Sequence, residues 1–284
     1  MVDRLDALLA HFPVHAQVFQ AGALCGINEL DDGEGLGHLH LIRNGAVEVL
    51  HGGITAARIS QPSLLFYPGP LAHRFVTDPE QGADFVCARL RFEGGRDNPV
   101  VSALPPFLCL PLATVEGMGE VLSLLFDEAF NRYCGRQAML DRLFEVALIK
   151  ILRHLMEQGQ AQAGMLAGMS HPRLRFALVA MHETPQQDWS LEALAARAGM
   201  SRSVFANTFR NTIGCTPGAY LQGWRIRLAQ RLLRQGRALK WVADEVGYGS
   251  EAALSRAFKA QTGLSPRAWG KREAGEERAG DSLR

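Results

Sequence analysis

The residues of this chain whose types and spacing suit chemistry at another molecule's surface form two short groups towards the C-terminus. The first holds Arg202, Ser203, Ala206, Asn207 and Arg210, and the second Glu251, Ala252, Ser255, Arg256 and Lys259. Apolar residues are interleaved at helical spacing: Val204, Phe205, Phe209 and Ile213 in one group, Leu254, Ala257 and Phe258 in the other. Each group therefore reads as a helix with an inward apolar face and an outward polar one. The outward types match the edges of base pairs in a DNA major groove. Asn can pair with adenine, Arg with guanine, and Glu can accept from cytosine, each worth about 1–3 kcal/mol of discrimination. Arg202, Arg210 and Lys259 suit phosphate oxygens, which set register without reading sequence. The competing reading of any one of them is an ordinary solvated helix residue.

The elements that must position these groups are one pattern written twice between Ser190 and Trp269. Leu194, Ala195, Ala198, Gly199, Phe205, Phe209, Arg210, Gly214, Pro217 and Tyr220 return as Val242, Ala243, Val246, Gly247, Leu254, Phe258, Lys259, Gly263, Pro266 and Trp269. The offset is 48 residues up to the glycine and 49 beyond it, so the turn has gained one residue. Each copy is a short apolar-periodic segment, a glycine turn and a second helix opened by a cap-type serine, Ser201 or Ser250. That is the layout of a helix-turn-helix, whose second helix enters the groove. Two copies are too few for a solenoid. Between them, Thr216–Gln235 carries Tyr220, Leu221, Trp224, Leu228, Ala229, Leu232 and Leu233 on one stripe, which predicts a long helix about 30 Å in length. One turn of B-DNA advances about 34 Å, so the two recognition helices can meet successive groove segments on one face.

The run Arg225–Ala229, Val242-Ala243, Val246–Tyr248, Arg256–Lys259 and Gly263–Pro266 resembles the AraC/XylS transcription regulators over about 100 residues. Leu254 stands where an aromatic is usual and Trp269 where Tyr is usual, both keeping an apolar role. The resemblance implies base-edge contacts at Ser203, Ala206, Asn207, Glu251, Ala252, Ser255 and Arg256.

A length of 284 residues predicts two domains. The formal net charge is only +1, yet its distribution is lopsided. Residues 1–169 hold 12 Lys+Arg against 19 Asp+Glu, residues 170–270 hold 14 against 6, and the last 14 residues hold 4 against 4. A basic half of net +8 beside an acidic half of net −7 marks the former for nucleic acid. The five cysteines are odd in number and lack a C-x-x-C pair, so neither a disulfide framework nor a zinc knuckle is indicated. No apolar run reaches the length of a membrane span and none opens the chain as a leader, which predicts a cytoplasmic protein.

Residues 2–10 read as a short amphipathic helix. From Ala16 to Phe92 the texture is short apolar runs, with strands predicted at Val14–Phe19, Leu39–Ile42, Val47–Leu50, Ala56–Ile59, Leu64–Tyr67 and Phe85–Phe92 around Asn44-Gly45, Gly52-Gly53 and Pro68-Gly69 turns. Such spacing predicts a small antiparallel barrel or sandwich. The stretches His38–Gly45 and Leu64–Phe75 resemble the two cupin motifs in the form carried by AraC-type sensor domains. In metal-binding cupins an H-x-H pair, an acid and a later histidine point inward. His38, His40 and His73 have part of that spacing, but Glu48 falls on the next strand and His38 is expected at a strand edge, so no metal and no cofactor is expected. Cys25 and Cys87 join His40 and His73 as effector-pocket residues. Arg89 shares a strand face with Cys87, and a nearby cation lowers a thiol's pKa, so an oxidant is an alternative input to a small molecule. The default for Cys87 and Cys25, as for Cys109 and Cys134, is packing.

Residues 100–113, rich in proline, read as an extended connector. Helices follow at Gly119–Tyr133 and Gln137–Gln158, whose stripes (Leu148 and Ile151 in the second) either pack on the barrel or form a dimer surface. Residues 158–170 have linker composition, and residues 271–284 that of a disordered tail. The expected fold class is therefore a two-domain α+β chain. A cupin-like β-barrel (1–113) and a helical pair (114–160) are followed by a linker (161–170), an all-α double helix-turn-helix domain (171–270) and a tail (271–284). The implied function is a sequence-specific DNA-binding transcription regulator, not an enzyme, controlled by an effector. Its expected partners are double-stranded DNA, an effector or oxidant, a second copy of itself and, for an activator, RNA polymerase. The alternatives are a metal-dependent cupin enzyme with an appended DNA-binding domain, and a constitutive DNA-binding protein whose barrel only dimerises.

Overall fold

A computed structural model describes residues 2–30, 35–159 and 163–281. Helix α1 (Asp6–His11) precedes β1 (Val14–Leu24), β2 (Ile27–Leu30), β3 (Gly37–Asn44), β4 (Val47–His51), β5 (Ile54–Ile59), β6 (Ser63–Tyr67), β7 (His73–Thr77) and β8 (Ala83–Phe92). Then come α2 (Pro99–Ala103), β9 (Leu108–Pro111), α3 (Met118–Phe130) and α4 (Arg136–Glu157). The remainder is helical: α5 (Met165–Ser170), α6 (Leu174–Glu183), α7 (Leu191–Arg197), α8 (Arg202–Ile213), α9 (Pro217–Arg234), α10 (Leu239–Glu245), α11 (Glu251–Thr262) and α12 (Pro266–Asp281). The chain forms two compact units, Phe12–Ala161 and Met1–His11 with Gln162–Arg284.

In the first unit the strands form two antiparallel sheets, ordered β1-β8-β3-β6-β9 and β2-β7-β4-β5. The side chains alternating inward, among them Ile42, Val47, Val49, Leu65, Tyr67, Phe75, Phe85 and Cys87, make one core. Gly45 turns β3 into β4 at φ 95°, and a Cβ there would lie 2.6 Å from Ala83. Strand β1 is a sheet edge, and α4 covers it. Asp141 accepts the Val18 N–H at 2.7 Å, Glu145 accepts that of Ala16 at 3.3 Å, and the Gln137 amide donates to the Val18 carbonyl at 2.9 Å. Polar groups that would template a foreign strand are thus satisfied within the unit. The α4 stripe packs on this same edge, with Leu148 and Ile151 fully buried, so these two residues are not a dimer surface.

The connector at 100–113 is only partly extended. Asn98 caps α2 by accepting from the Val100 N–H at 2.8 Å, and β9 pairs with β6. Proline at the first helical position costs no hydrogen bond, which composition alone conceals. The linker at 158–170 falls partly outside the described residues, and its last six form α5, with Met165, Leu166 and Met169 buried in the second unit. Helix α1 packs in that unit too, against α6, with its Leu8 and the preceding Leu5 buried. Helix α12 runs on to Asp281, into the segment whose composition predicts a disordered tail. Its Glu, Ala, Lys and Arg favour helix whether or not they bury anything. Among the described residues no helix is long and apolar enough to cross a membrane.

Candidate nucleic-acid interface

The sequence repeat becomes a repeat of hydrogen bonds. At the end of α7 the N–H groups of Ala198, Gly199 and Met200 donate to the carbonyls of Leu194, Ala196 and Ala195. At the end of α10 those of Val246, Gly247 and Tyr248 donate to Val242, Asp244 and Ala243, the same pattern 48 residues on. Both glycines have positive φ, 61° and 81°. Helices α8 and α11 then close on Gly214 and Gly263, each donating to a carbonyl four residues back at 2.9 Å. The next helices are capped alike, Thr216 accepting from Ala219 and Ser265 from Ala268. Phe209 meets Tyr220 edge-on at 5.7 Å, and Phe258 meets Trp269 at 5.7 Å. These are two helix-turn-helix units with one internal logic.

Helix α9 joins them and is buried on most sides, through Leu221, Trp224, Ile226, Leu228 and Ala229. Arg225 is structural. Its guanidinium donates to the carbonyls of Pro185 at 2.7 Å and Gln187 at 2.9 Å, with its charge 5.8 Å from the Tyr248 ring. Sequence reasoning missed His182, which is buried, stacks on Trp224 at 3.7 Å and hydrogen-bonds the Tyr220 hydroxyl at 2.8 Å. Burial holds its pKa down to about 3, so the ring is neutral. A lone histidine in an apolar helix carries no signal of such a partner.

On α8, Phe205 and Phe209 face the core, and Arg202, Ser203, Asn207 and Arg210 are exposed with Ala206 half-buried. On α11, Leu254 and Phe258 face in; Glu251, Ala252, Arg256 and Lys259 are exposed and Ser255 half-buried. Val204 departs from expectation: it is 51% exposed and belongs to the outer face. Its Cα lies about 100° round the helix from Phe205, beyond the edge of the buried stripe. Arg202 pairs with Glu192 of α7 at 2.9 Å, both exposed.

The barrel gathers a second set of groups. His38, His40 and His73 are all buried in its interior, so His38 is not at a strand edge. Their ring centres lie 5.0–5.7 Å apart. The His73 Nδ1 sits 2.7 Å from the Leu71 carbonyl and must donate to it. Burial keeps His73 neutral, with a pKa near 4, so its Nε2 is bare and accepts from the His40 Nε2 at 3.0 Å. The His40 Nδ1 is then a buried lone pair without a partner. Glu48 is turned outward to Thr55 and Arg58, and among the described residues no group of three His, Cys, Asp or Glu is arranged to hold an ion. A cavity of about 370 Å³ is lined by Leu30, Leu50, Gly52, Gly53 and Ala72 together with Glu29, His73 and Arg74.

Cys87 follows the packing default, while Cys25 does not reach the pocket expected of it. Cys87 lies inside, opposite His40 across the β3–β8 ladder, and burial raises its thiol pKa. Arg89 does not activate it but stacks on the Phe19 ring at 4.8 Å. Cys25 is exposed, beyond the end of β1 and outside the interior.

Residues 3–157 match the cupin family, and residues 194–272 match a helix-turn-helix domain family. The chain is 38% identical to an AraC-like transcription regulator of Streptomyces lividans over 171 residues, 59% of this chain and 56% of that one. It is 40% identical over 197 residues to the HTH-type transcriptional regulator AlkR of Acinetobacter baylyi, covering 68% of this chain and 64% of that one. The first relatives it matches are thus spanned over little more than half their length. Among solved structures, the DNA-binding domain of AdpA in complex with a target DNA is similar over 35% of this chain and 91% of that one, at 34% identity and a TM-score of 0.34. The protein belongs to the AraC-type regulators that pair an N-terminal cupin domain with a C-terminal double helix-turn-helix.

Proposed function

We propose that this protein is a transcription regulator that binds double-stranded DNA through α8 and α11 and is controlled by a small organic effector taken up by the barrel. The observation that carries the DNA reading is the doubled helix-turn-helix. Two recognition helices present Ser203, Asn207, Glu251 and Arg256 outward from residues 170–270, a stretch of net charge +8. The relatives named as transcription regulators support it over the enzyme alternative. The test is selection of bound sequences from random duplex DNA by the full chain, followed by titration at several salt concentrations. Enrichment of a bipartite site, bound more weakly as salt rises, is expected. Absence of salt-dependent binding at low ionic strength overturns the reading.

The Cys87 thiol, held protonated by burial, supports ligand over oxidant sensing, and the cavity at His73 joins Leu30, Leu50 and Ala72 to the polar groups of Glu29, His73 and Arg74, a mixed lining that suits a small organic molecule. Exposed apolar side chains support association with a second copy. The outer faces of α3 and α4 and the turn between them leave Leu124, Phe130, Tyr133, Met139 and Val146 exposed by 39–50%.

A further inference from the structure

Val204 stands out on α8 as a large apolar side chain on a helix face otherwise made of polar or small residues. It is 51% exposed, whereas the neighbouring Phe205 is fully buried. Round the helix it lies about 60° from Asn207, and Ser203 lies about 40° to the other side of Asn207. The three form one continuous outward strip over the first two turns. It is the N-terminal part of a recognition helix that meets base edges. An isopropyl group has no hydrogen bond to offer there. The major-groove edges of the four bases carry one apolar feature, the 5-methyl group of thymine.

We infer that Val204 is a specificity-determining residue, packing its isopropyl group on the 5-methyl of a thymine in the half-site read by α8. Nothing in the fold requires valine at this position. The side chain is half in solvent, and a β-branched residue is a poorer helix former than alanine. The corresponding residue of α11, by the 49-residue offset that relates Ser201 to Ser250, is Ala253. The second unit therefore has no isopropyl group at this place, and the isopropyl contact belongs to one half-site.

The test uses the full chain and the duplex selected by it. Each thymine is replaced in turn by deoxyuridine, which pairs identically and lacks only the methyl group. The wild-type chain is expected to lose about fourfold in affinity at one thymine, the equivalent of about 0.8 kcal/mol for one buried methylene-sized group. V204A is expected to bind the unmodified duplex that much more weakly and to show no further loss with deoxyuridine at that position. V204T, which keeps one methyl, retains part of the loss. The thermal midpoint of V204A stays equal or rises, which separates reading from folding. A selected duplex with no uracil-sensitive thymine overturns the inference while leaving DNA binding intact. So does an uracil penalty of equal size in V204A. A chain that enriches no sequence overturns both.

Discussion

An arginine serves a duplex in two ways, and the two leave different signatures. Arg256, exposed on the second turn of α11, has the side chain that suits the bidentate pairing guanine offers, while Arg210, exposed late on α8, is proposed to meet a backbone phosphate. Arg256→Ala should cost about 1–3 kcal/mol at one base position and relax preference there. Arg210→Ala should weaken all sequences alike and reduce the slope of log affinity against log salt by about one. Competition titrations with a panel of single-base variants at two salt concentrations check both. A uniform loss for Arg256→Ala would reassign it to phosphate. At this scale the sequence is informative wherever a residue's type and its neighbours' periodicity agree, as for Phe205, Phe209, Leu254 and Phe258. It misleads where the environment decides. Arg89 shares a strand face with Cys87, yet the guanidinium is spent on Phe19 and burial raises the thiol. Strand parity gives direction, not reach. Val204 has the type of a core residue, yet it lies past the edge of the buried stripe, because apolar type does not guarantee apolar surroundings.

The two turn glycines share one role in sequence but not one environment. Gly199 adopts φ 61° with nothing within 4 Å of where a Cβ would stand, whereas at Gly247, φ 81°, a Cβ would meet the Gln186 Cα at 2.6 Å. Gly199→Ala should therefore cost only the left-handed penalty of about 1–2 kcal/mol. Gly247→Ala carries that penalty plus a backbone collision and should lower the melting midpoint distinctly further. Equal midpoints for the two variants would mean that the Gln186 segment gives way. The helices of this half are legible because capping serines, glycine stops and 3.6-residue stripes all coincide. The barrel is harder. Strands β2, β7 and β9 leave no clear pattern, since Ile27–Leu30 is too short for alternation, His73–Thr77 mixes polar types, and β9 sits in a proline-rich run. They are held by pairing to β7, β4 and β6, which is long-range information. The direction of Glu48 is of the same kind, because its turn outward is fixed by Arg58 on β5.

Over the whole chain, buried neutral histidines couple stability to pH. His73 and His182 have pKa values of about 4 and about 3 when folded, against about 6.5 when unfolded. The unfolded chain therefore binds more protons below pH 6.5, so their contribution is complete above that value and is lost as the pH falls towards the folded values. Each adds a slope of about 1.4 kcal/mol per pH unit in that window. Melting at pH 7.5 and pH 5 should show a drop that His182→Gln reduces, since an amide can keep the Tyr220 bond without titrating. The proposed self-association belongs to the same scale. Charged residues at Leu148 or Ile151 would enter a buried core and unfold the first unit, so they cannot report on a dimer. Met139 and Val146 can, because they are 42% and 41% exposed and lie two helical turns apart on the free face of α4. Two DNA-binding units linked through that face would act at a high effective concentration on paired sites. Met139→Glu with Val146→Glu should then keep the parent's melting midpoint, run as a monomer in light scattering and bind a paired operator at least tenfold more weakly. A single half-site should be bound as before, because the recognition helices are untouched. An unchanged dimer would move the interface off α4, and a parent chain that is monomeric at micromolar concentration would remove the need for one.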